Sequence, residues 1–310
     1  MIPIPNYIEK LDNNVMIIGI NDILQKSHAK STLKYNEAGK LIGLSESYYR
    51  AHINYKPHAS IWFLKLFSKK IDPEIFNKIY QKENIEFTAK TKKIKLPKKI
   101  TPELAYFLGY LYGDDCLTSC KKQIIFSDEY LTQIMTIERI AQKLFDSAGY
   151  IREMNTTISL KPHYNLEIKS SVLNSFIHKV FGINRGIKTN LKIPVLIKKN
   201  KTLIQYYISG VYDADGTLPK NPEKAVQLFI DITMKDKKFI KEIKEELLGF
   251  GIETLKIYKR IAKSPTSDFL SKTYELRIRR KSMLLKFLQE INFKHPNKAI
   301  RAEKMIKLLS

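Results

Sequence analysis

The chain has 310 residues, 44% of them hydrophobic, which is enough to bury a full core in two or three domains. Its 54 Lys and Arg against 31 Asp and Glu leave a formal charge of +23, and a charge of that size calls for a polyanionic partner bound through counterion release. No apolar run approaches the ~18 residues of a membrane span, no amphipathic cluster gathers the charge as a lipid-surface protein would, and MIPIPNYIEK lacks the order of a signal peptide, so a cytoplasmic location is expected.

Residues 35–67 read as a helix, a turn at Gly43, a second helix from Ser45, a loop with Pro57 and a further apolar helix. Residues 1–88 are therefore expected to form a small all-α domain. The pattern resembles a repressor-type helix-turn-helix, with Gly39 at its small-residue position and Gly43, Leu44 and Ser45 at the turn. The resemblance implies that Ser45, Ser47, Tyr48 and Arg50 face the major groove of DNA. A helical bundle that only packs on its neighbour is the alternative, because this segment is weakly basic. His28, His52 and His58 fit no metal spacing and read as surface or packing residues.

The next stretch, 89–100, carries six lysines, a proline and no acid, and reads as an exposed linker at a domain boundary. It is either a solvated spacer or a segment that lies along phosphates. Thr101, Pro102 and Glu103 then supply an N-cap, a first-turn proline and a first-turn acid for a helix that is apolar all round and hence buried. Cys116 and Cys120 are too few for a disulfide framework, have no zinc-site spacing, and read as small strand residues.

From here the chain repeats itself, as residues 101–198 and 199–310. Gly109 and Gly210 hold the same place in FLGYLYGDD (107–115) and ISGVYDADG (208–216), and 165–177 resembles 275–288. Each copy is expected to run helix, strand, strand, helix, strand, helix. Alternating segments at 123–128, 156–160, 226–232, 254–260 and 273–280 give the strands of an α+β fold with antiparallel sheets. In the last, Tyr274, Leu276 and Ile278 point one way and Glu275, Arg277 and Arg279 the other, giving one packed and one cationic face. Such a face can enter the major groove, and Lys169, Lys256, Arg260, Arg277 and Arg279 are the candidate DNA contacts.

Small residues four apart, Gly109 with Gly113 and Gly210 with Ala214, allow two helix backbones to approach closely. The acid after each pair, Asp114 and Asp215, ends its helix where the macrodipole disfavours negative charge by about 0.3–1 kcal/mol. If the helices pack through their small faces, these carboxylates converge and need a cation, for which Mg2+ is the natural candidate. Paired metals in that setting activate water and stabilise the leaving oxygen of a phosphodiester. An acid that merely closes a turn is the competing reading, weakened by its recurrence in register. A calcium loop is rejected, because counting from Asp213 glycine falls fourth and position twelve is Lys224.

These motifs resemble those of two-repeat LAGLIDADG (DOD-type) homing endonucleases, over about residues 101–310. The resemblance implies a pseudo-twofold αββαβα fold, in which a monomer places a β-saddle on a long double-stranded DNA site and the motif helices form its axis. It implies that Asp114 and Asp215 bind Mg2+ and drive cleavage of both strands to leave 3′ overhangs. It also implies a basic residue near each scissile phosphate, at Lys192 in LKIP and Lys294 in FKHP. One departure is Asp115, where the family has glycine; asparagine and aspartate tolerate a left-handed turn, but an extra carboxylate bears on cleavage. Inteins of this family are set aside because Met1 opens the chain and KMIKLLS closes it without His-Asn. The alternatives are a non-cutting transcription regulator with a decayed LAGLIDADG domain, and a maturase bound to structured intron RNA.

Overall fold

The small residues at Gly109, Gly113, Gly210 and Ala214 do bring two helices together, and the rest of the chain is arranged around them. The computed structural model describes residues 1–90, 92–113, 116–154, 162–187, 190–263 and 270–310.

The amino-terminal region comprises β1 (Ile2–Pro3), β2 (Met16–Ile18), α1 (Asn21–Lys30), α2 (Tyr35–Leu41), α3 (Glu46–Asn54), β3 (His58–Ser60), α4 (Ile61–Lys70), α5 (Ile75–Gln81), β4 (Glu86–Thr88), β5 (Ile94–Lys95) and β6 (Lys99–Ile100). Its strands pair antiparallel in the order β3-β2-β4-β5, so the region is mixed rather than the all-α domain expected. Strands of two or three residues are too short for alternation to register. The helix, turn, helix order is present: Gly43 takes φ +75° between α2 and α3, and a Cβ on Gly39 would stand 3.0 Å from the Leu44 carbonyl oxygen.

Residues 89–100 are not the free linker expected. Ile94 pairs with Phe87 and Ile100 with Ile2, and Ile94, Leu96 and Ile100 are buried while Lys95 and Lys99 are exposed and Lys98 donates to the Lys82 carbonyl at 2.7 Å. The alternation was visible in Lys93, Ile94, Lys95 and Leu96, and the lysine content masked it. The region is fastened to the first repeat through Asp12, whose amide donates to Ser175 Oγ at 2.8 Å and whose Oδ2 accepts from Arg185 Nη2 at 2.7 Å. The Tyr7 ring meets Phe176 edge-on at 4.9 Å.

The first repeat runs α6 (Pro102–Leu111), β7 (Cys116–Leu117), β8 (Ile124–Asp128), α7 (Leu131–Phe145), β9 (Tyr150–Met154), β10 (His163–Ile168) and α8 (Ser171–Phe181). After the short α9 (Val195–Lys198) the second runs α10 (Lys201–Asp215), β11 (Gly216–Thr217), β12 (Ile230–Met234), α11 (Lys237–Gly249), β13 (Tyr258–Lys263), β14 (Leu270–Ile278) and α12 (Lys281–Glu290), with α13 (Pro296–Leu309) following. The sheets β7-β8-β10-β9 and β11-β12-β14-β13 have matching orders. Each repeat is thus αββαββα, one strand more than expected, because β7 and β11 are two residues long. The strand read at 156–160 lies outside the described residues. Ile230, Ile232 and Met234 pair with Ile278, Leu276 and Tyr274, all buried, and form the core face of the second sheet.

Thr101 Oγ1 caps α6 by accepting from Leu104 N at 3.2 Å, and Asn200 Oδ1 caps α10 by accepting from Leu203 N at 3.1 Å. The helices meet backbone to backbone. A Cβ on Gly109 would lie 2.0 Å from the Tyr207 carbonyl oxygen, and one on Gly210 would lie 2.3 Å from that of Tyr106. Tyr106 and Tyr207 sit at equal motif positions, so the contact is reciprocal about a local twofold. No helix among the described residues is long and apolar enough to cross a membrane.

Gly109→Ala therefore forces a backbone-to-backbone clash that no side-chain rotation relieves. It should destabilise the fold by about 3 kcal/mol or more, read as a lower midpoint in urea, whereas Gly249→Ala, whose Cβ would meet nothing within 4 Å, should not.

Candidate functional site

The two motif helices run together to their carboxyl ends, and there the chemistry collects. Asp215 is the last residue of α10 and is half-buried; a Cβ built on Gly113 would stand 3.4 Å from the Asp215 carboxyl carbon and 2.2 Å from Ala214 Cβ. The seam thus delivers the second motif acid against the last described residue of the first motif. Asp114 and Asp115 lie outside the described residues. Clefts flank the seam, one including Tyr112, Asp215, Thr233 and Lys235, the other Asp128, His163, Lys220, Lys298 and Arg301.

A helix that ends in an acid leaves its own carbonyls facing a negative charge. Here Lys298 of α13 intervenes: its ammonium donates to the carbonyls of Tyr212 at 3.0 Å, Asp213 at 2.5 Å and Ala214 at 3.4 Å. Of these, the Tyr212 carbonyl also accepts from the Gly216 amide that closes the helix, and those of Asp213 and Ala214 belong to the last turn, where the helix runs out of amide donors. Burial lowers the Lys298 pKa, while Asp213, Asp128 and Asp215 act to raise it. The sequence reading missed this residue. Its signal was its register, since Lys298 lies four before Ala302 on the face that buries Met305 and Leu309.

Asp213 is fully buried. Its Oδ2 accepts from Tyr106 Oη at 2.8 Å and from the amides of Lys294 and His295 at 2.9 Å each, and Gln133 Nε2 donates to Tyr106 Oη at 3.1 Å. Burial pushes the Asp213 carboxyl up despite these donors and nearby Lys298. Tyr112, at the equivalent place in the first motif, donates its hydroxyl to the Lys192 carbonyl at 2.7 Å. The same motif position therefore grips the same loop in both repeats, by a phenol in one and a carboxyl in the other.

Beside this network His295, also buried, accepts from Asn297 N through Nδ1 at 3.2 Å and turns Nε2 to Asp128 Oδ1 at 3.4 Å. Asp128 further accepts from Tyr110 Oη at 2.6 Å and Tyr130 N at 2.7 Å. Burial acts to raise the Asp128 pKa, but His295, Tyr110 and Tyr130 outweigh it and hold the carboxyl below its usual range.

The lysines expected at the scissile phosphates fare differently. The Lys192 side chain is exposed. The Lys294 ammonium stacks 3.9 Å from the Tyr206 ring centroid. Tyr206 lies nine residues before Asp215, about 13 Å along the helix at ~1.5 Å per residue, so Lys294 is not brought to the motif acid. Burial lowers its pKa.

The face of β14 expected to be cationic is instead charge-compensated. Arg277 Nη2 lies 2.6 Å from Asp231 Oδ2 and its Nε 2.9 Å from Glu275 Oε1, while Arg260 also pairs with Glu275. Alternation placed Glu275 on that face but could not show Asp231 opposite Arg277. Lys256 and Arg279 are exposed, and exposed Lys169 lies 3.9 Å from Glu167. Ser45, Ser47, Tyr48 and Arg50 are all exposed on or beside α3, where Ser45 Oγ caps Tyr48 N at 3.3 Å and Arg50 pairs with Glu46 at 2.7 Å. His28 and His52 are buried packing residues, bonded to Tyr49 Oη at 3.1 Å and stacked on Phe63 at 4.5 Å, and His58 is half-buried in β3. Cys116 is in β7, but Cys120 is exposed in a turn rather than a strand.

Residues 202–292 match the LAGLIDADG-like domain family. This part of the chain is a LAGLIDADG-like domain. Its element order and helix seam recur in residues 102–181, so the chain has a two-repeat LAGLIDADG fold. Over 232 residues the chain is 27% identical to glutamine–fructose-6-phosphate aminotransferase of Methanocaldococcus jannaschii, covering 74% of this chain and 20% of that protein. Over 167 residues it is 32% identical to the ribonucleoside-diphosphate reductase NrdEB subunit alpha of Bacillus subtilis, covering 49% of this chain and 15% of that one. It thus spans a fifth or less of these curated relatives. Similar solved structures include full-length DUF199/WhiA from Thermatoga maritima, with TM-score 0.45, 12% identity and coverage of 67% of this chain and 61% of that one. Another is the homing endonuclease I-DmoI in complex with DNA and Mn, with TM-score 0.40, 16% identity and coverage of 63% and 98%.

Asp213 supplies a pH test of this LAGLIDADG seam. An acid whose pKa is raised on folding contributes stability that is present below its ordinary value of 3.8 and lost as pH rises through the raised one. Asp213→Asn can accept the same hydrogen bonds but cannot ionise. Paired thermal melts from pH 4 to 8 should show the melting temperature of the variant gaining on that of the wild type as pH rises.

Proposed function

We propose that this protein is a site-specific, Mg2+-dependent endonuclease that binds double-stranded DNA as a monomer and hydrolyses both strands to leave 3′ overhangs. The observation that carries this reading is the delivery of the Asp215 carboxyl to the end of the first motif helix, in a chain of charge +23.

The donors at the seam suit the metal. Asp215, with Asp114 as its counterpart in the first motif, offers hard carboxylate oxygens. Mg2+ is commonly held by one or two carboxylates with its waters and substrate phosphates. When bound it supplies Lewis acidity and a more acidic water for in-line attack on the phosphodiester. Lys298 places a positive charge on the last carbonyls of the helix beneath Asp215, offsetting the negative end of the helix dipole there. Lys169, Lys192, Lys256 and Arg279 provide exposed charge for the DNA backbone. The α3 surface at Ser45, Ser47, Tyr48 and Arg50 adds a second grip through the major groove.

The test is incubation of the purified chain with Mg2+ and a library of duplex sites. Affinity should fall by a factor on the order of 10^3 to 10^5 between 50 and 200 mM salt. Asp114→Asn and Asp215→Asn should each reduce cleavage on the order of 100-fold or more while leaving binding in place. Specific binding without cleavage by the wild type would overturn the nuclease reading and favour a regulator, the outcome that Asp115 at the close of the first motif would explain. Retention of a structured intron RNA and of no duplex DNA would identify a maturase.

A further inference from the structure

The face of the β11-β12-β14-β13 sheet opposite its buried Ile232 and Leu276 holds an arginine in a built clamp. Strand pairing sets Arg277 across from Asp231, whose Oδ2 accepts from both Nε at 3.1 Å and Nη2 at 2.6 Å. Glu275, two residues earlier on the same face, brings Oε1 to 2.9 Å from Nε and is itself paired to Arg260 of the neighbouring strand. The Phe229 ring covers the guanidinium from another side, its centroid 4.6 Å from Cζ. Both carboxylates are buried, at 7% and 3% exposure, whereas the Arg277 side chain keeps 30%.

A guanidinium presents five N–H donors in a rigid planar fork. Asp231 and Glu275 occupy the edge made by Nε and Nη2. The tip of the fork, one N–H on Nη1 beside one on Nη2, is left over, and Nη1 donates to none of the described residues. Two parallel donors in that geometry match O6 and N7 of guanine in the major groove, whereas adenine offers a donor in place of O6. The charges argue in the same direction. Arg260, Arg277, Asp231 and Glu275 sum to zero, so the quartet adds little to attraction for phosphates, and its carboxylates oppose them. A fixed, neutralised guanidinium is suited to reading a base, where a mobile lysine suffices for the backbone.

We propose that Arg277 reads a guanine in the major groove of the bound duplex, with Asp231, Glu275 and Phe229 as positioning residues that fix its fork. This rests on the DNA-binding reading above, and the experiment separates the two. The full-length wild type, Arg277→Lys, Asp231→Asn and Phe229→Leu are used to select bound duplexes from a randomised pool, without divalent metal, and the salt slope of each is measured. The wild type should select guanine at a defined position. Arg277→Lys and Asp231→Asn should lower that discrimination by about 10- to 100-fold at that base pair alone, with affinity for duplexes lacking the guanine kept and the salt slope of Arg277→Lys little changed. Phe229→Leu, which leaves all four charges in place, should move discrimination in the same direction. Unaltered guanine preference in all three variants overturns the proposal, as does a loss of affinity in Arg277→Lys that is uniform across duplexes of every sequence, which would mark a phosphate contact. If the wild type retains no duplex, it is the DNA-binding reading that has failed.

Discussion

The backbone of α6 touches the backbone of α10 at two points related by the internal repeat, Gly109 against the Tyr207 carbonyl and Gly210 against the Tyr106 carbonyl. Everything built at the helix ends depends on that contact, because it fixes the separation and the register of the two helices together. Once Gly109 and Gly210 are matched, Gly113 must meet Ala214 one turn later, and Asp215 must arrive at the end of the other motif. Dispersion and burial along the seam hold the helices, but the absence of two side chains decides how closely they lie.

Ending a helix at an acid has an electrostatic cost, and the fold meets it with groups from elsewhere in the chain. Lys298 supplies three donors to the last carbonyls of α10. Asp213 turns inward and binds the loop that carries Lys294 and His295, which in turn places α13 so that Lys298 can reach. The first repeat solves the loop attachment with Tyr112 and has Leu196 where the second has Lys298. The two halves are therefore alike in backbone and unlike in charge at their motif ends.

Charge compensation recurs on the β-saddle. The +23 of the chain suggests a uniformly cationic surface, yet Arg260 and Arg277 are held by Glu275 and Asp231 and contribute little net charge there. Under the proposed DNA-binding reading, attraction for a polyanion resides in the exposed lysines, and the paired arginines are free of that duty. Such separation of backbone attraction from base contact is the general division of labour in nucleic-acid recognition.

The sequence by itself determined the parts governed by local rules. The repeat was legible in Gly109 and Gly210. The cap at Thr101 and the helix from Pro102 followed from propensity and period, which depend on near neighbours. The helix end at Asp215 was legible for the same reason. Tertiary structure decided what distant residues do to one another. It turned 89–100 from a linker into paired strand, because Ile94 and Ile100 found Phe87 and Ile2. It carried Lys294 away from Asp215 and Lys298 beneath it, although the two are four residues apart. It converted a cationic strand face into a neutral clamp through Asp231, 46 residues from Arg277. Periodicity assigns a residue to a face; which charge it meets there is set by strand pairing and helix packing across the chain, and no local pattern records that.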